Sequence, residues 1–360
     1  MKKNTIGIIT FHDVRNYGAV LQAYALQRKL LEEYEDVKII DYHNPKIQKE
    51  LSHWKFEGFG VSPFLHSLKK CFWSLKKKAS FDKFIRNYML LLPFNEHEIS
   101  KRSILIAGSD QIWNTELTAD DKTYFLDFAH KKQIKIAYAA SFGDGEECCG
   151  EQMYPLLKSF DLITLREHKW MNKLEQMMGR KVRRCCDPVL LLTRDEWVQL
   201  ASRRLLRKRY VFCFMIEYSP SLMEYAKELC REKNMVLITN KKCYSFFCHS
   251  SPRDFLSWLM NADYVLTNSF HGTVFSVIFQ KKFMSYCFDE TRKKEKTRII
   301  EFLDALELPH RYDVNKMTEY IGQMEAWNYI SDKLERMRSS SCNYICDNLE
   351  RLACLNEAKD

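Results

Sequence analysis

Short apolar runs alternate with longer amphipathic stretches along most of the chain. "TIGIIT" (5–10), "VKIIDY" (37–42), "SILIAG" (103–108), "KIAYAAS" (135–141) and "FDLITL" (160–165) have strand length and are bounded by polar or glycine-containing segments. Between the first two lies "AVLQAYALQRKLLEEY", where Val20, Tyr24, Leu31 and Tyr34 share one helical face that Gln27 interrupts. Strand, helix and strand in that order predict a βαβ unit. Residues 45–100 predict a helical excursion, and "EHKWMNKLEQMMG" predicts a helix ended by Gly179. After "DPVLLL" (187–192), Thr193 and Glu196 have capping-box spacing, so a helix starts there. A second alternating set follows: "RYVFCFMI", a helix near 220–233, "MVLITN", a helix opened by Ser251-Pro252, and "ADYVLTN". The alternation predicts an α/β fold with mainly parallel sheets, in two similar halves. The expected domains are 1–188 and 189–312, with a helical tail, 313–360, packing back on the first.

Composition narrows the class. With 360 residues, 46% of them hydrophobic and 29% charged, the chain can bury two ordinary cores. No window approaches eighteen uninterrupted apolar residues, and the start lacks the apolar core and cleavage site of a signal peptide. A cytoplasmic protein is expected. The thirteen cysteines are scattered, with adjacent pairs Cys148-Cys149 and Cys185-Cys186 and no CxxC. They predict reduced thiols rather than a metal site, the nearest approach to a cluster being Cys243, Cys248 and His249. The formal charge of +9 is uneven. "SLKKCFWSLKKKASFDKF" (67–84) interleaves lysines with aromatics, which suits either peripheral contact with an anionic membrane or a solvated helix packed by its aromatic side. "RRLLRKR" (203–209) is a second basic block, and no nucleic-acid module accompanies either.

Ligands of doubly wound sheets sit beyond the carboxyl ends of strands, where loops feed helices. Three stretches have that address. In "TNSFHGT", a helix starting near Ser269 offers backbone N–H groups; Gly272 would admit an anion, Thr273 adds a hydroxyl and His271 can move a proton. The alternative is a strand–turn–helix corner whose polar residues only cap the helix. In "TFHDVRNYGA", Gly18 stands without a GxGxxG pattern, so a dinucleotide site is not supported and Asp41 does not supply one. Asn16, Tyr17 and Gln22 contact a hydroxylated ligand or stabilise the loop. In "AGSDQIWN", Asp110, Gln111 and Asn114 beside Trp113 suit sugar hydroxyls and a ring face, or else an Asx-type turn with a packed tryptophan. Arg166 ends a strand and Arg298 opens a late helix, each able to hold a carboxylate or phosphate.

On these residues the chain resembles the polysaccharide pyruvyl transferase family. "GIITFHDVRNYGAVLQAYALQ", "IAGSDQIWN", "YAASFG", "DLITLRE", "DPVLLL", "ADYVLTNSFHGTVFSVIFQKKF" and the arginine of "KTRIIEFLDALEL" agree in order across roughly 6–308. The resemblance implies two Rossmann-like domains facing a cleft, similar to two-domain (GT-B-type) glycosyltransferases, with the acceptor on the first and the donor on the second. It implies transfer of a pyruvyl group from phosphoenolpyruvate to two sugar hydroxyls, giving a ketal, without metal or redox cofactor. Acceptors are a sugar or lipid-linked oligosaccharide of surface polysaccharide assembly, at the inner face of the cytoplasmic membrane. His271 is similar to the family's catalytic histidine. Donor-binding residues are then Ser269, Gly272, Thr273, Arg166 and Arg298; acceptor-binding residues are Asn16, Tyr17, Gly18, Asp110, Gln111, Trp113 and Asn114. The chain departs from the family at Ser269, where the resemblance calls for arginine, leaving Arg166, Arg298 or Lys281 to supply the cation. A glycosyltransferase using a nucleotide sugar and a non-catalytic carbohydrate-binding protein are the alternatives; oligomeric state is left open.

Overall fold

The computed structural model describes residues 2–52, 61–143, 150–241, 243–289, 294–295, 297–312 and 317–357. The chain divides into two compact units, Met1–Leu192 with Met337–Asp360, and Thr193–Arg336.

The first unit runs β1 (Lys2–Ile9), α1 (Tyr17–Leu30), β2 (Tyr34–Asp41), α2 (Pro45–Ser52), α3 (Val61–Tyr88), β3 (Leu91–Pro93), α4 (Glu96–Ser100) and β4 (Ile104–Ala107). It continues with α5 (Thr115–Thr118), β5 (Ile134–Ala140), α6 (Tyr154–Lys158), β6 (Leu162–Leu165), α7 (Met171–Met178) and β7 (Arg183–Arg184). Its strands form a parallel sheet of order β3-β2-β1-β4-β5-β6-β7. Strand order reverses between β1 and β4, which makes their carboxyl ends the switch point. Ile6, Ile8, Ile9 and Ile104 to Ala107 are fully buried, as central strands covered on both faces must be.

Two expectations for this unit change. α1 stops at Leu30 and Tyr34 opens β2, so the face drawn through Leu31 and Tyr34 is not helical. Gln27 is buried: its Nε2 donates to the carbonyls of Val37 and Leu90 while its Oε1 accepts from the Leu90 N–H. The helix thus uses its polar interruption to tie β2 to the start of β3. The excursion after residue 45 is not wholly helical, because Leu91–Pro93 joins the sheet as an edge strand, where proline is tolerated.

The second unit runs α8 (Arg194–Leu200), β8 (Tyr210–Phe214), α9 (Pro220–Lys233), β9 (Val236–Thr239), α10 (Tyr244–Cys248), α11 (Pro252–Asn261), β10 (Tyr264–Thr267), α12 (Phe270–Ile278) and β11 (Lys282–Ser285). The hairpin β12 (Phe288–Asp289) and β13 (Lys294–Glu295), α13 (Thr297–Ala305), α14 (Met317–Tyr320) and α15 (Trp327–Glu357) follow. The sheet order is β11-β10-β8-β9, all parallel, with the reversal between β8 and β10. Thr193 and Glu196 form the expected capping box, and Ser251 with Asp254 forms another. Arg311 is fully buried; it pairs with Glu325 and donates to the carbonyls of Phe283, Tyr320 and Gln323, fastening the segment after α13 to β11.

The fold class is therefore α/β, built on parallel sheets. The division falls after Leu192, and the tail does not begin at 313: residues before Met337 belong to the second unit. Beyond that point α15 lies on the first. Arg338 donates to the carbonyls of Leu190 and Leu192, and Ser341 Oγ accepts from the Cys186 N–H.

Candidate functional site

In the first unit, two loops meet at the switch point. Thr10, just after β1, donates its hydroxyl to the Ser109 carbonyl at 2.8 Å and accepts from Gln22 Nε2 at 2.9 Å. Gly108 lets the two loops pack closely: a Cβ there would lie 3.0 Å from Thr10 Cβ, tighter than an ordinary contact. The residues expected to contact an acceptor are placed around this junction. Asn16 caps α1, its Oδ1 accepting from the N–H groups of Gly18 (3.0 Å) and Ala19 (3.5 Å). Tyr17 is buried, with its ring 5.0 Å from Phe81 and Lys77 over its face.

Asp110 adopts φ 78°, bridges to Ala140 and accepts from the Gln111 N–H at 2.8 Å. Asparagine and aspartate tolerate this left-handed region better than other non-glycine residues. Asn114 donates to Gln111 Oε1 at 2.9 Å and caps α5 through the Glu116 N–H. Gly143, at φ 75°, roofs this amide pair, since a Cβ would sit 2.3 Å from Gln111 Oε1. Trp113 corrects an expectation. It is 0% exposed, its indole N–H donates to the Tyr124 carbonyl, and it stacks on Phe125 at 5.4 Å. It offers no ring face to a sugar; it is the centre of the unit's core.

Arg166 is also buried, with Nη1 2.6 Å from Asp187 and Nη2 3.8 Å from Asp110. Burial works against its charge, yet Asp187, Asp110 and Glu167 outweigh that and raise its pKa. Its guanidinium is engaged by carboxylates of its own unit.

In the second unit, Asn268 ties the switch point together. Its Oδ1 accepts from the Ile216 N–H at 2.8 Å and its Nδ2 donates to the Glu217 carbonyl at 2.9 Å, joining the loops after β10 and β8. Ser269 caps α12 through the Gly272 N–H at 3.3 Å. His271 stands in the first turn of that helix, 9% exposed, its ring edge-on to Phe270 at 5.3 Å. Phe270 also meets Phe302 at 6.0 Å. Arg298 lies four residues before Phe302 on α13, hence on the same helix face. Through these rings, α13 presents its Arg298 face toward the first turn of α12.

Three donor-side expectations need correction. Gly272 is explained by close packing, since a Cβ would fall 2.5 Å from Thr267 Oγ1. Thr273 is fully buried; its hydroxyl is engaged by the Ser269 carbonyl and by Ser285 Oγ at 2.7 Å. Lys281 precedes β11, whose Lys282 pairs with Tyr264 at the start of β10, whereas His271 follows the end of β10. It donates to the Met260 carbonyl at 3.0 Å, and burial lowers its pKa. Lys281 is at the wrong end of the sheet to serve a ligand beside His271.

Three titratable residues at the ends of β1 and β2, His12, Asp13 and His43, had no role in the sequence analysis, and Asp41 beside them was set aside there as a dinucleotide contact. A signal was available. Parallel pairing sets Ile8 beside Ile39, and the same offset sets residue 12 beside residue 43. Among the described residues no group of His, Cys, Asp and Glu is arranged to hold a metal ion. The cysteines there are free thiols, those of Cys186 and Cys213 pushed up to about 12 by burial; Cys148 and Cys149 lie outside the described residues.

Parallel sheets in both units, with hydrogen-bonding side chains gathered where strand order reverses, define a doubly wound α/β protein of the kind that takes ligands at strand ends. A sequence profile described as polysaccharide pyruvyl transferase matches residues 16–286. The chain belongs to the polysaccharide pyruvyl transferase family, and by that membership it is a transferase of polysaccharide modification.

No curated protein matches the chain in sequence. Similar solved structures include MnaA of S. aureus with UDP, at 11% identity and TM-score 0.48, covering 96% of this chain and 97% of that one. UDP-GlcNAc 2-epimerase from Methanocaldococcus jannaschii is 11% identical at TM-score 0.45, covering 97% and 100%. The glycotransferase of kitacinnamycin is 9% identical at TM-score 0.47, covering 98% and 100%. These likenesses are distant, and nothing about activity follows from them.

Proposed function

We propose that the chain moves a pyruvyl group from phosphoenolpyruvate onto two hydroxyls of a sugar unit destined for surface polysaccharide, with His271 as the proton-transfer residue. The observation that carries the reading is the family match over 16–286, within which His271 stands beyond β10 in the first turn of α12. The chemistry fits an imidazole there. A proton added to the methylene carbon of the enol phosphate makes its neighbour oxocarbenium-like. One sugar hydroxyl attacks that carbon, phosphate departs, and the second hydroxyl closes the ketal. Two hydroxyl protons are released: one replaces the proton given to the methylene, and one leaves with the phosphate. The helix terminus and Arg298 would carry the donor's negative charge.

Phosphate release from phosphoenolpyruvate, measured with and without candidate acceptor glycosides, tests this reading. Release that requires acceptor and falls at least a hundredfold in His271→Ala supports it. Full activity in His271→Ala would remove the histidine from the mechanism. Binding of sugars without phosphate release would favour a non-catalytic carbohydrate-binding protein.

We further propose peripheral contact with an anionic bilayer through α3. Phe72 and Leu75 are 59% and 60% exposed. Lys76, Ala79, Lys83 and Arg86 are exposed along the same stripe at helical spacing, while Phe81, Phe84 and Ile85 are buried on the other side. An apolar end followed by an excess of cations, with Asp82 paired to Lys78, suits a headgroup region. Among the described residues no helix is long and apolar enough to cross a membrane.

A further inference from the structure

The basic block 203–209 has no part in the transfer chemistry, yet the fold gathers further cations around it. The strands of the second sheet are parallel, in the order β11-β10-β8-β9. Residues just before each strand therefore share one end of the unit, opposite the end that carries His271. Lys281 precedes β11, Asp263 precedes β10 and Arg209 precedes β8. The loop leading to Arg209 is mounted on α11. The Ser202 N–H donates to the Arg253 carbonyl at 3.0 Å, Ser257 Oγ to the Arg203 carbonyl at 3.0 Å, and Arg253 Nε to the Leu200 carbonyl at 2.7 Å. Lys281 Nζ reaches the Met260 carbonyl near the end of the same helix.

These bonds fix the backbone and leave the charges outward. Arg203, Arg204, Arg207, Lys208 and Arg209 are exposed, as is Arg194 at the start of α8. Arg194, Arg203, Arg207 and Lys208 form no ion pair among the described residues. Nearby acids compensate little: Asp263 is taken by Arg209 at 2.9 Å and by the Tyr210 N–H at 3.1 Å, and Glu196 closes the capping box. Asp195 adds one exposed acid. Burial lowers the pKa of Lys281; Asp263 opposes this, and the charges of Arg194 and Arg204 add to the lowering. Cations from α8, from the loop after it and from the turn before β11 thus repel one another, and an anionic partner would relieve that. Arginine predominates, which suits phosphate oxygens. Leu205 and Leu206 are half-buried among the cations, and Val198, 38% exposed, lies one helical turn from Arg194. The aromatic of this stretch, Trp197, is fully buried and offers no face to a nucleobase. Aliphatic groups between exposed cations fit a headgroup layer.

We propose that this end of the second unit, with Arg194, Arg203, Arg204, Arg207 and Lys208 at its surface, docks on the phosphate headgroups of an anionic bilayer. The surface is separate from α3 and does not depend on the pyruvyl-transfer reading. Its attraction is electrostatic, so it weakens as salt rises.

The test is the partition of the full chain onto phosphatidylglycerol-rich vesicles, with phosphatidylcholine vesicles alongside. The triple change Arg203→Gln, Arg207→Gln and Lys208→Gln removes three exposed charges that hold no partner in the fold. It should lower the partition coefficient at least tenfold with the melting temperature unchanged. Arg203→Lys with Arg207→Lys, which keeps the charge, should stay within about threefold of the unmodified chain. The triple change made in a Lys76→Glu chain should lower partition again, which separates this surface from α3. No partition of the unmodified chain onto the anionic vesicles, or no loss in the triple variant in either background, would overturn the proposal. A random-sequence oligonucleotide, followed by fluorescence anisotropy at the same salt, covers the other polyanion. Oligonucleotide binding lost in the triple variant while vesicle binding persists would assign the surface to nucleic acid and overturn the bilayer.

Discussion

Gly272 shows how one residue type supports two different arguments. Read from the sequence, a glycine beside a histidine at a helix start suggests room for an anion. In the structure the same glycine is required because Thr267 lies against it. Thr267 cannot swing away, for its hydroxyl donates to the Phe214 carbonyl at 2.7 Å and accepts from the Ser269 N–H at 3.0 Å. At an ordinary helix position, replacing glycine by alanine stabilises by roughly 0.5–1 kcal/mol. Gly272→Ala should instead destabilise by about 1–3 kcal/mol, as overpacking does, visible as a lower urea midpoint. A higher midpoint would show that the glycine is there for something other than close packing. The sequence made Gly272, Thr273 and Trp113 visible as special residues. It could not say which atoms they face, and packing partners decided their roles.

Elements were easier to read than side chains, because period and caps are local. The capping box at Thr193, the helix opened by Ser251-Pro252 and the helix ended by Gly179 follow from residue types a few positions apart. What escaped depends on distant pairing. β3 is three residues long and exists because Ile39, Ile40 and Asp41 pair with Leu91, Leu92 and Pro93. The His12–Asp41 pair forms across a strand register that no single window contains. Asn16 belongs at this scale too. Its side chain holds the first turn of α1, so Asn16→Ala should cost about 1 kcal/mol of stability. Activity per folded molecule should be unchanged in that variant. A selective rise in KM for the acceptor, with the melting temperature held, would return Asn16 to the binding set.

For the whole molecule, the α/β class was legible from alternation alone, since only parallel sheets need such crossovers. The +9 charge suggested an anionic partner without saying where. The exposed stripe of α3 narrows that to an apolar pair beside cations. Co-sedimentation with phosphatidylglycerol-rich vesicles should fall in Leu75→Asp and in Lys76→Glu, and should fall for the unmodified chain as salt rises. Equal pelleting with phosphatidylcholine vesicles, or no loss in either variant, would reject the bilayer contact.

The central claim is that phosphoenolpyruvate is the donor and meets the turn at His271. The most direct measurement is the melting temperature of the full chain against increasing phosphoenolpyruvate, with inorganic phosphate and UDP-N-acetylglucosamine in parallel. A ligand specific for the folded state stabilises it by about 2.7 kcal/mol at a hundredfold excess over Kd. The account predicts a rise with phosphoenolpyruvate that grows with the logarithm of its concentration, larger than with phosphate and reduced in Arg298→Ala. A rise with the nucleotide sugar and none with phosphoenolpyruvate would contradict it.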